Sequence, residues 1–200
     1  MQQDESKTLE NTQENPKSES LSFVWETIKI IIISLAIIVP IRYYLVQPFF
    51  VKGASMEPNL ENGDYLLVDE LSYRLGEPKR GEVIVFRYPY DTSQFFIKRI
   101  IGLPSETVEI RNNTVKIYKD DKAAGTVLQE DYLPSSQKTT GDTTIKLKDD
   151  EYFVMGDNRI QSSDSRKWGP LNKKYIVGRA FVRLWPFNEL ITIREVNYDF

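Results

Sequence analysis

The sequence predicts a mainly β protein, with an antiparallel, barrel-like or sandwich-like domain that one transmembrane α-helix precedes. Two observations support this prediction. From residue 47 onward, short apolar runs rich in β-branched and aromatic residues alternate with turn signals, which is typical of β-strands. Before them lies a longer apolar segment, and the residues that begin the chain are almost all polar.

Eight apolar runs have the length and composition of strands, and turns rich in Gly, Pro, Asn and Asp separate several of them. The runs are Tyr65–Val68, Glu82–Phe86, Phe95–Ile101, Thr107–Ile110, Thr114–Tyr118, Glu151–Met155, Gly178–Leu184 and Leu190–Ile193. This pattern predicts an antiparallel β domain over residues 47–200. A polar, Thr-rich stretch within it indicates a smaller inserted subdomain at about 111–150.

The N-terminal region divides into two parts by composition. Residues 1–22 are rich in Glu, Gln, Ser, Asn and Lys, so we expect a disordered tail. Residues 23–46 are the predicted transmembrane anchor, although the uncharged run, Ile30–Ile41, has only 12 residues and a bilayer needs roughly 20. A signal peptide that is removed is the alternative, but no small-residue cleavage signature follows this segment.

The residues that flank the uncharged run favour a membrane span. Lys29 and Arg42 lie near its ends, where their long side chains can extend to the membrane surface and lengthen the usable segment to about 20 residues. Trp25, Tyr43 and Tyr44 lie where an aromatic belt would be. The charges on the two sides of the segment do not determine its orientation.

Two absent residue types restrict the chemistry. Without cysteine, the chain has no disulfide, no thiol nucleophile and no cysteine-bound zinc. Without histidine, a Ser-His-Asp triad and a histidine metal site are excluded. A hydrolase of this composition takes its base from Lys, Asp or Glu, and a carboxylate-bound hard cation stays open. The net charge of −3 offers no basic surplus for binding nucleic acid.

The first candidate site is the segment 51–60, which contains Ser55. Gly53 and Ala54 are small enough for a substrate backbone to approach the Ser55 hydroxyl, and Pro58 stiffens the chain beyond it. The alternative is an ordinary turn serine. The S-x-x-K arrangement of β-lactamases is excluded, because proline occupies the position where lysine would be needed.

The second candidate site is the apolar strand 95–104, which carries two adjacent basic residues. Lys98 shares a face with Phe96 and Ile100, and Arg99 lies on the other face. We expect one of the two basic side chains to point toward the core. Burial of Lys98 would lower the pKa of its amine from about 10.4 to roughly 7–8, the range of a general base. The alternative is an edge-strand lysine that reaches solvent.

The third candidate site is the polar loop after the sixth predicted strand. Its Asp157, Asp164 and Arg166 can form ion pairs that hold an irregular loop. A hydroxyl from Ser162 or Ser163 could orient a neutral lysine amine. The alternatives are a purely structural loop and a calcium loop, but the acidic spacing does not fit an EF-hand.

The three sites belong to an ordered set of motifs. The set comprises the apolar N-terminal segment, Ser55-Met56-x-Pro58-x-Leu60, Gly63-Asp64-Tyr65, Arg80–Phe86, Ile97–Pro104 and Gly156–Gly169. Over roughly residues 23–186, it resembles the bacterial type I signal peptidase family (peptidase family S26). The resemblance implies a β-rich peptidase domain on the outer side of the cytoplasmic membrane. This domain would remove signal peptides from secreted preproteins after small residues at positions −3 and −1.

The resemblance also implies roles for residues at the matching positions. Ser55 is the nucleophile, Lys98 the general base, and Ser162 the hydroxyl that orients the lysine. Asp164 and Arg166 form a structural ion pair. The substrate-binding or membrane-facing positions are Phe49, Val51, Met56, Leu60, Phe96 and Ile97. The implied partners are signal peptides and the lipid bilayer, and we expect no cofactor, no metal ion and no nucleic acid.

Three positions depart from the family pattern. Gly53 replaces a hydroxyl residue that supplies a second oxyanion donor in some members, which leaves the Ser55 backbone N–H as the predicted donor. Phe96 occupies a position where some members have Tyr. Pro104-Ser105-Glu106 replaces the usual Pro-Gly-Asp turn, which concerns the turn rather than the chemistry.

Two other functions stay open from the sequence alone. One is a self-cleaving Ser/Lys regulator, which would be expected to carry a DNA-binding domain in place of the tail and anchor. The other is a non-catalytic, membrane-tethered β module that binds peptides or serves as a scaffold. Turnover of a preprotein separates these functions from that of a signal peptidase.

Overall fold

The computed structural model describes most of the chain. The described residues are 16–40, 46–120, 124–187, 190–193, 195, 196 and 198. Residues 1–15 of the predicted tail and residues 41–45 near the end of the predicted anchor therefore lie outside the described part. The chain divides into two compact units, Met1–Ile41 and Arg42–Phe200.

The first unit contains the helix α1, Pro16–Pro40. It begins within the predicted tail, before the predicted start of the anchor at residue 23. Proline suits the first helical position, because the N–H that it lacks would have no partner there. From Phe23 to Val39, nearly all side chains are exposed and most are apolar. Within the described residues, no helix combines the length and the apolarity that crossing a membrane requires.

The second unit is built mainly from strands. They are β1 (Val46–Phe50), β2 (Tyr65–Asp69), β3 (Val83–Tyr88), β4 (Asp91–Gly102), β5 (Thr107–Arg111), β6 (Thr114–Tyr118), β7 (Thr126–Val127), β8 (Thr143–Lys146), β9 (Glu151–Met155), β10 (Leu171–Asn172), β11 (Ile176–Trp185) and β12 (Ile191–Thr192). Two short helices, α2 (Ser72–Leu75) and α3 (Ser165–Trp168), and a 3₁₀ turn at Lys173–Tyr175 lie among them. All strand pairs among the described residues are antiparallel. The prediction of a mainly β, antiparallel domain is confirmed.

Eight strands form the larger sheet, in the order β1-β2-β11-β3-β4-β9-β10, with β12 paired to β11. Alternate residues of β3 enter different apolar clusters. Val83 and Val85 pack on one face of the sheet, and Ile84 and Phe86 pack on the other. The centre of the sheet is therefore covered on both faces, which restricts the side chains that its central strands carry.

The strands β5 to β8 form a smaller sheet, in the order β7-β6-β5-β8. Its Val108 and Ile117 belong to the same apolar cluster as Phe153 and Met155 of β9. The two sheets thus share a core. Because β5 begins at Thr107, the smaller sheet starts before the predicted beginning of the subdomain near residue 111.

The strand β4 positions the second candidate site between its two neighbours. Lys98 is paired with Ile84 of β3, and Arg99 is paired with Met155 of β9. Because β9 ends at Met155, the polar loop that follows it begins beside Lys98.

Candidate active site

Ser55 lies on the loop that connects β1 and β2. The two ends of this loop are joined by a hydrogen bond of 2.9 Å from the Val51 N–H to the Asp64 carbonyl oxygen. Gly53 has a φ of +89°, a left-handed conformation that favours glycine. Its N–H donates to Asn62 Oδ1 at 2.9 Å. The loop thus holds Ser55 half-buried. The Gly53 N–H already has an acceptor in Asn62.

Lys98 extends from β4 to Ser55. Its Nζ lies 2.7 Å from Ser55 Oγ and donates to the Ile97 carbonyl oxygen, also at 2.7 Å. Lys98 is only 4% exposed, and β4 has a neighbouring strand on each side in the sheet. The alternative of an edge-strand lysine that reaches solvent is therefore wrong.

Burial changes the protonation of Lys98. The loss of solvation lowers the pKa of its amine from 10.5 to about 8, although the carboxylates of Asp164 and Asp157 favour the charged form. The Phe96 ring, whose centroid lies 5.6 Å from Nζ, forms part of the apolar surroundings. A useful fraction of the amine is therefore neutral near pH 7, and only the neutral amine can accept a proton.

Arg99 points to the opposite face of β4 and is also buried. Its guanidinium donates to Asp157 Oδ1 at 2.9 Å and to Oδ2 at 2.6 Å, and also to the Gly81 carbonyl oxygen at 2.8 Å. Asn59 donates to the same carboxylate at 2.9 Å. Burial by itself would lower the pKa of Arg99, but Asp157 raises it. We expected one buried basic residue on this strand, and the structure has two, because each finds polar partners.

The loop after β9 is held by a buried ion pair and contacts the backbone of Ser55. Asp164 accepts from Arg166 Nη2 at 2.8 Å and from the Gly156 N–H at 3.1 Å. Burial would raise the pKa of Asp164, but the hydrogen bond and charge of Arg166 hold it below its ordinary value. The Asn158 N–H donates to the Ser55 carbonyl oxygen at 3.0 Å. This loop therefore holds the backbone of the serine.

Ser162 is buried near Ser55, with 1% of its surface exposed. A side chain at Gly156 would meet both the Ser162 hydroxyl and the Ser55 carbonyl oxygen. The Ser162 hydroxyl helps to lower the pKa of Asp164, but it makes no hydrogen bond of normal geometry within the described residues. The hydrogen bonds of Lys98 go to other atoms, so the orienting role of Ser162 stays a prediction.

A cleft of about 700 Å³ opens beside Ser55 and Lys98. Four of the six residues that we expected to bind substrate line it: Phe49, Val51, Phe96 and Ile97. Gln94, Phe95 and Gln161 also line it, and the sequence does not predict a binding role for them. Phe95 and Gln161 lie within the second and third candidate sites, so proximity to those motifs was the available signal.

Met56 and Leu60, the other two expected residues, lie elsewhere. They are 0% and 2% exposed and belong to an apolar cluster with Leu66 and Val68. Neither is among the described residues that line the cleft. The Leu60 N–H donates to the Met56 carbonyl oxygen at 3.0 Å, one helical turn apart, which directs both side chains inward. The expectation is corrected: they support the loop that carries Ser55.

The fold and the site together define a class of protein. A serine hydroxyl lies within hydrogen-bond distance of a buried lysine amine, at an open cleft of an antiparallel β domain. This is the geometry expected of a serine hydrolase that uses lysine as its base.

Comparison with known proteins narrows this class. A family model described as signal peptidase, peptidase S26, matches residues 24–185. A crystal structure of a signal peptidase I from Enterococcus faecalis V583 is 33% identical, covers 52% of this chain and 97% of that chain, and has a TM-score of 0.44. The probable signal peptidase I-1 of Synechocystis sp. is 36% identical over 181 residues, which are 87% of this chain and 89% of that protein. The signal peptidase I of Bacillus amyloliquefaciens is 36% identical over 190 residues, 90% of this chain and 94% of that protein.

The family match and these two relatives show that the chain belongs to the signal peptidase family, peptidase S26. It is therefore a serine endopeptidase, and the family that its motifs resemble is confirmed.

Proposed function

We propose that this chain is a membrane-anchored peptidase that removes N-terminal signal peptides from secreted preproteins, with Ser55 as nucleophile and Lys98 as general base. The observation that supports this most strongly is the 2.7 Å separation of Ser55 Oγ and Lys98 Nζ. Burial also lowers the pKa of the lysine to about 8. A proton can pass directly between two atoms at this distance.

Acylation starts from the neutral amine of Lys98. As Ser55 Oγ bonds to the scissile carbonyl carbon, its proton passes to Lys98 Nζ. The carbonyl oxygen becomes an oxyanion, for which the Ser55 backbone N–H is the proposed donor. The scissile C–N bond then breaks, and the Lys98 ammonium returns its proton to the leaving amine. The mature protein departs, and the signal peptide stays on Ser55 as an ester.

Deacylation repeats the proton transfer with water. The oxygen of a water molecule attacks the ester carbonyl carbon, and neutral Lys98 accepts a proton from this water. The bond from that carbon to Ser55 Oγ breaks, and Lys98 returns the proton to Ser55. The signal peptide leaves as a carboxylic acid, which loses its proton to solvent, and both side chains regain their starting states. The predicted contribution of Ser162 is to hold Lys98 in position through both steps.

An extended signal peptide fits the strand edges beside the cleft. Among the described strands, β1 is the last one on its side of the larger sheet. Residues 95–97 of β4 are paired with β3, and β9 joins β4 from Arg99 onward. A substrate strand along these edges would direct residues −1 and −3 to the same side, because side chains alternate along a strand. Residues −1 and −3 would then face the same apolar wall of the cleft, where the proposed preference for small residues would be set.

We further propose that α1 attaches the enzyme to the cytoplasmic membrane, with the catalytic unit on its outer side. The apolar side chains exposed between Phe23 and Val39 support this, since lipid covers such a surface favourably. The full chain is expected to stay in the membrane fraction after an alkaline carbonate wash. A variant with Ile33→Lys and Ile37→Lys is expected to be released. Release of the unaltered chain would argue against attachment through α1.

The proposed activity is tested with the purified full chain and a preprotein that carries alanine at −1 and −3. Mass spectrometry is expected to find cleavage directly after position −1, and Ser55→Ala is expected to show no turnover. A matched preprotein with phenylalanine at −1 should resist cleavage. Cleavage of the enzyme chain alone, without turnover of any preprotein, would favour the self-cleaving regulator. No cleavage of either would contradict the proposal.

A further inference from the structure

Arg159 lies in the loop after β9 and is almost fully buried, with 1% exposed. All five N–H groups of its guanidinium have acceptors. Nη1 donates to Glu130 Oε2 at 2.8 Å and to Thr139 Oγ1 at 2.6 Å. Nη2 donates to Glu130 Oε1 at 2.6 Å and to the Tyr132 hydroxyl at 2.9 Å. Nε donates to the Gly156 carbonyl oxygen at 3.1 Å.

Three of these partners come from one part of the chain. Glu130, Tyr132 and Thr139 lie between β7 and β8, in the excursion that belongs to the smaller sheet. The Glu130 side chain is 12% exposed and that of Arg159 is 0% exposed. A bidentate carboxylate–guanidinium pair with so little solvent is strong and geometrically specific. Arg159 therefore joins the loop after β9 to the excursion of the smaller sheet.

The remaining partner, Gly156, lies against the backbone of Ser55. The backbone at Gly156 is in such close contact with the Ser55 carbonyl oxygen that no side chain would fit between them. Two residues further on, the Asn158 N–H donates to that same oxygen at 3.0 Å. The segment that Arg159 fastens is therefore the segment that fixes the Ser55 backbone.

We propose that Glu130 and Arg159 are positioning residues, through which the smaller sheet holds the Ser55 backbone in the geometry that acyl transfer requires. This inference rests on the proposed function and deepens it. Neither side chain touches the reacting atoms. They act through Gly156 and Asn158, which contact the Ser55 carbonyl oxygen. The position of the Ser55 backbone in turn determines where its hydroxyl and its N–H lie. Small displacements of reacting groups have large effects on rate.

The variant Glu130→Gln tests this with little change of shape. It keeps one carbonyl acceptor but removes the charge of the pair. We expect kcat for the alanine preprotein to fall on the order of 10-fold while KM changes little, because the cleft is unaltered. Thr139→Val, which removes a single acceptor, should lower kcat less. Glu106→Gln is the control, since Glu106 pairs with Arg80 at 2.5 Å with both side chains similarly buried.

A second measurement does not depend on turnover. Hydrogen exchange at the Asn158 amide is expected to become faster in Glu130→Gln and to stay unchanged in Glu106→Gln. An unchanged kcat in Glu130→Gln, or a change in KM alone, overturns the inference, as does unchanged exchange. If the unaltered chain cleaves no preprotein, the proposed function fails, and the exchange rates still decide whether Glu130 fixes this segment.

Discussion

Replacement of Lys98 by methionine is expected to abolish preprotein cleavage, with kcat/KM lower by at least about 10³-fold. Methionine has a similar length but cannot accept the proton of Ser55. Lys98→Arg is expected to be equally inactive, because a guanidinium stays protonated and cannot serve as a base. Steady-state assays with the alanine preprotein measure both variants. Substantial turnover by either would rule out Lys98 as the general base.

The pH dependence of the unaltered enzyme tests the same assignment. Because the base must be neutral, kcat/KM is expected to rise about tenfold per pH unit below the pKa of Lys98 and to level off above it. The bend is expected near pH 8, the lowered pKa of the buried amine, and not near 10.5. Lys52 lines the same cleft but is exposed. Lys52→Met should leave the bend where it is.

The stability of Lys98→Met shows whether its loss of activity comes from the missing base or from unfolding. Burial lowers the pKa of Lys98 from 10.5 to about 8, so the folded state holds the protonated amine less readily than the unfolded chain does. This destabilisation is about 3 kcal/mol at pH 7 and declines as the pH rises from 8 toward 10.5. Denaturant unfolding at pH 7 should therefore find Lys98→Met more stable than the unaltered chain. A less stable variant would mean that burial does not disfavour the charged amine.

The largest loss of stability is expected from Asp157→Asn. The substitution leaves the Arg99 guanidinium, on the opposite face of β4, buried without its counter-charge. Removal of one partner from a buried ion pair typically lowers the free energy of unfolding by about 3–5 kcal/mol. Asn59 would also lose the carboxylate to which it donates. Thermal and urea unfolding measure the change.

An exposed pair provides the control for Asp157→Asn. Glu77 pairs with Lys173 at 2.5 Å, but their side chains are 71% and 41% exposed. Glu77→Gln is expected to change the free energy of unfolding by less than about 1 kcal/mol, because solvent screens the charges. Equal effects of the two substitutions would show that burial of the Arg99–Asp157 pair has no special energetic weight.

The candidate residues could be predicted from the sequence better than their contacts. The lack of histidine and cysteine leaves Lys, Asp or Glu as the base, and the pattern along one strand predicts that Lys98 or Arg99 is buried. The family resemblance then assigns the role of base to Lys98. The separation of Lys98 from Ser55 could not be predicted, because the two residues are 43 positions apart in the chain. The partner of Arg99 could not be predicted either, since Asp157 is 58 positions away in the chain. Both contacts depend on the pairing of β4 with strands distant in sequence.

The sequence also does not show which apolar residues of a short motif are buried in the core. Met56 and Leu60 are apolar and adjacent to Ser55, which is equally compatible with lining a pocket and with entering the core. Only the helical turn between them decides in favour of the core. The strands β1 and β8 were missed for local reasons. The first contains Pro48 and follows the predicted anchor directly, and the second, Thr143–Lys146, has polar residues on both of its faces.

The neighbouring positions of Lys98 and Arg99 have a consequence for how folding relates to activity. If β4 slipped by one residue against β3 and β9, Arg99 would turn toward Ser55 and Lys98 toward Asp157. Such a molecule would keep its strand content and its formal charges, yet its serine would face a cation that cannot release a proton at neutral pH. Registry errors in this strand would therefore lower the fraction of active molecules without changing the properties of the remainder. Titration of active sites reports that fraction, whereas spectroscopic measures of β content do not.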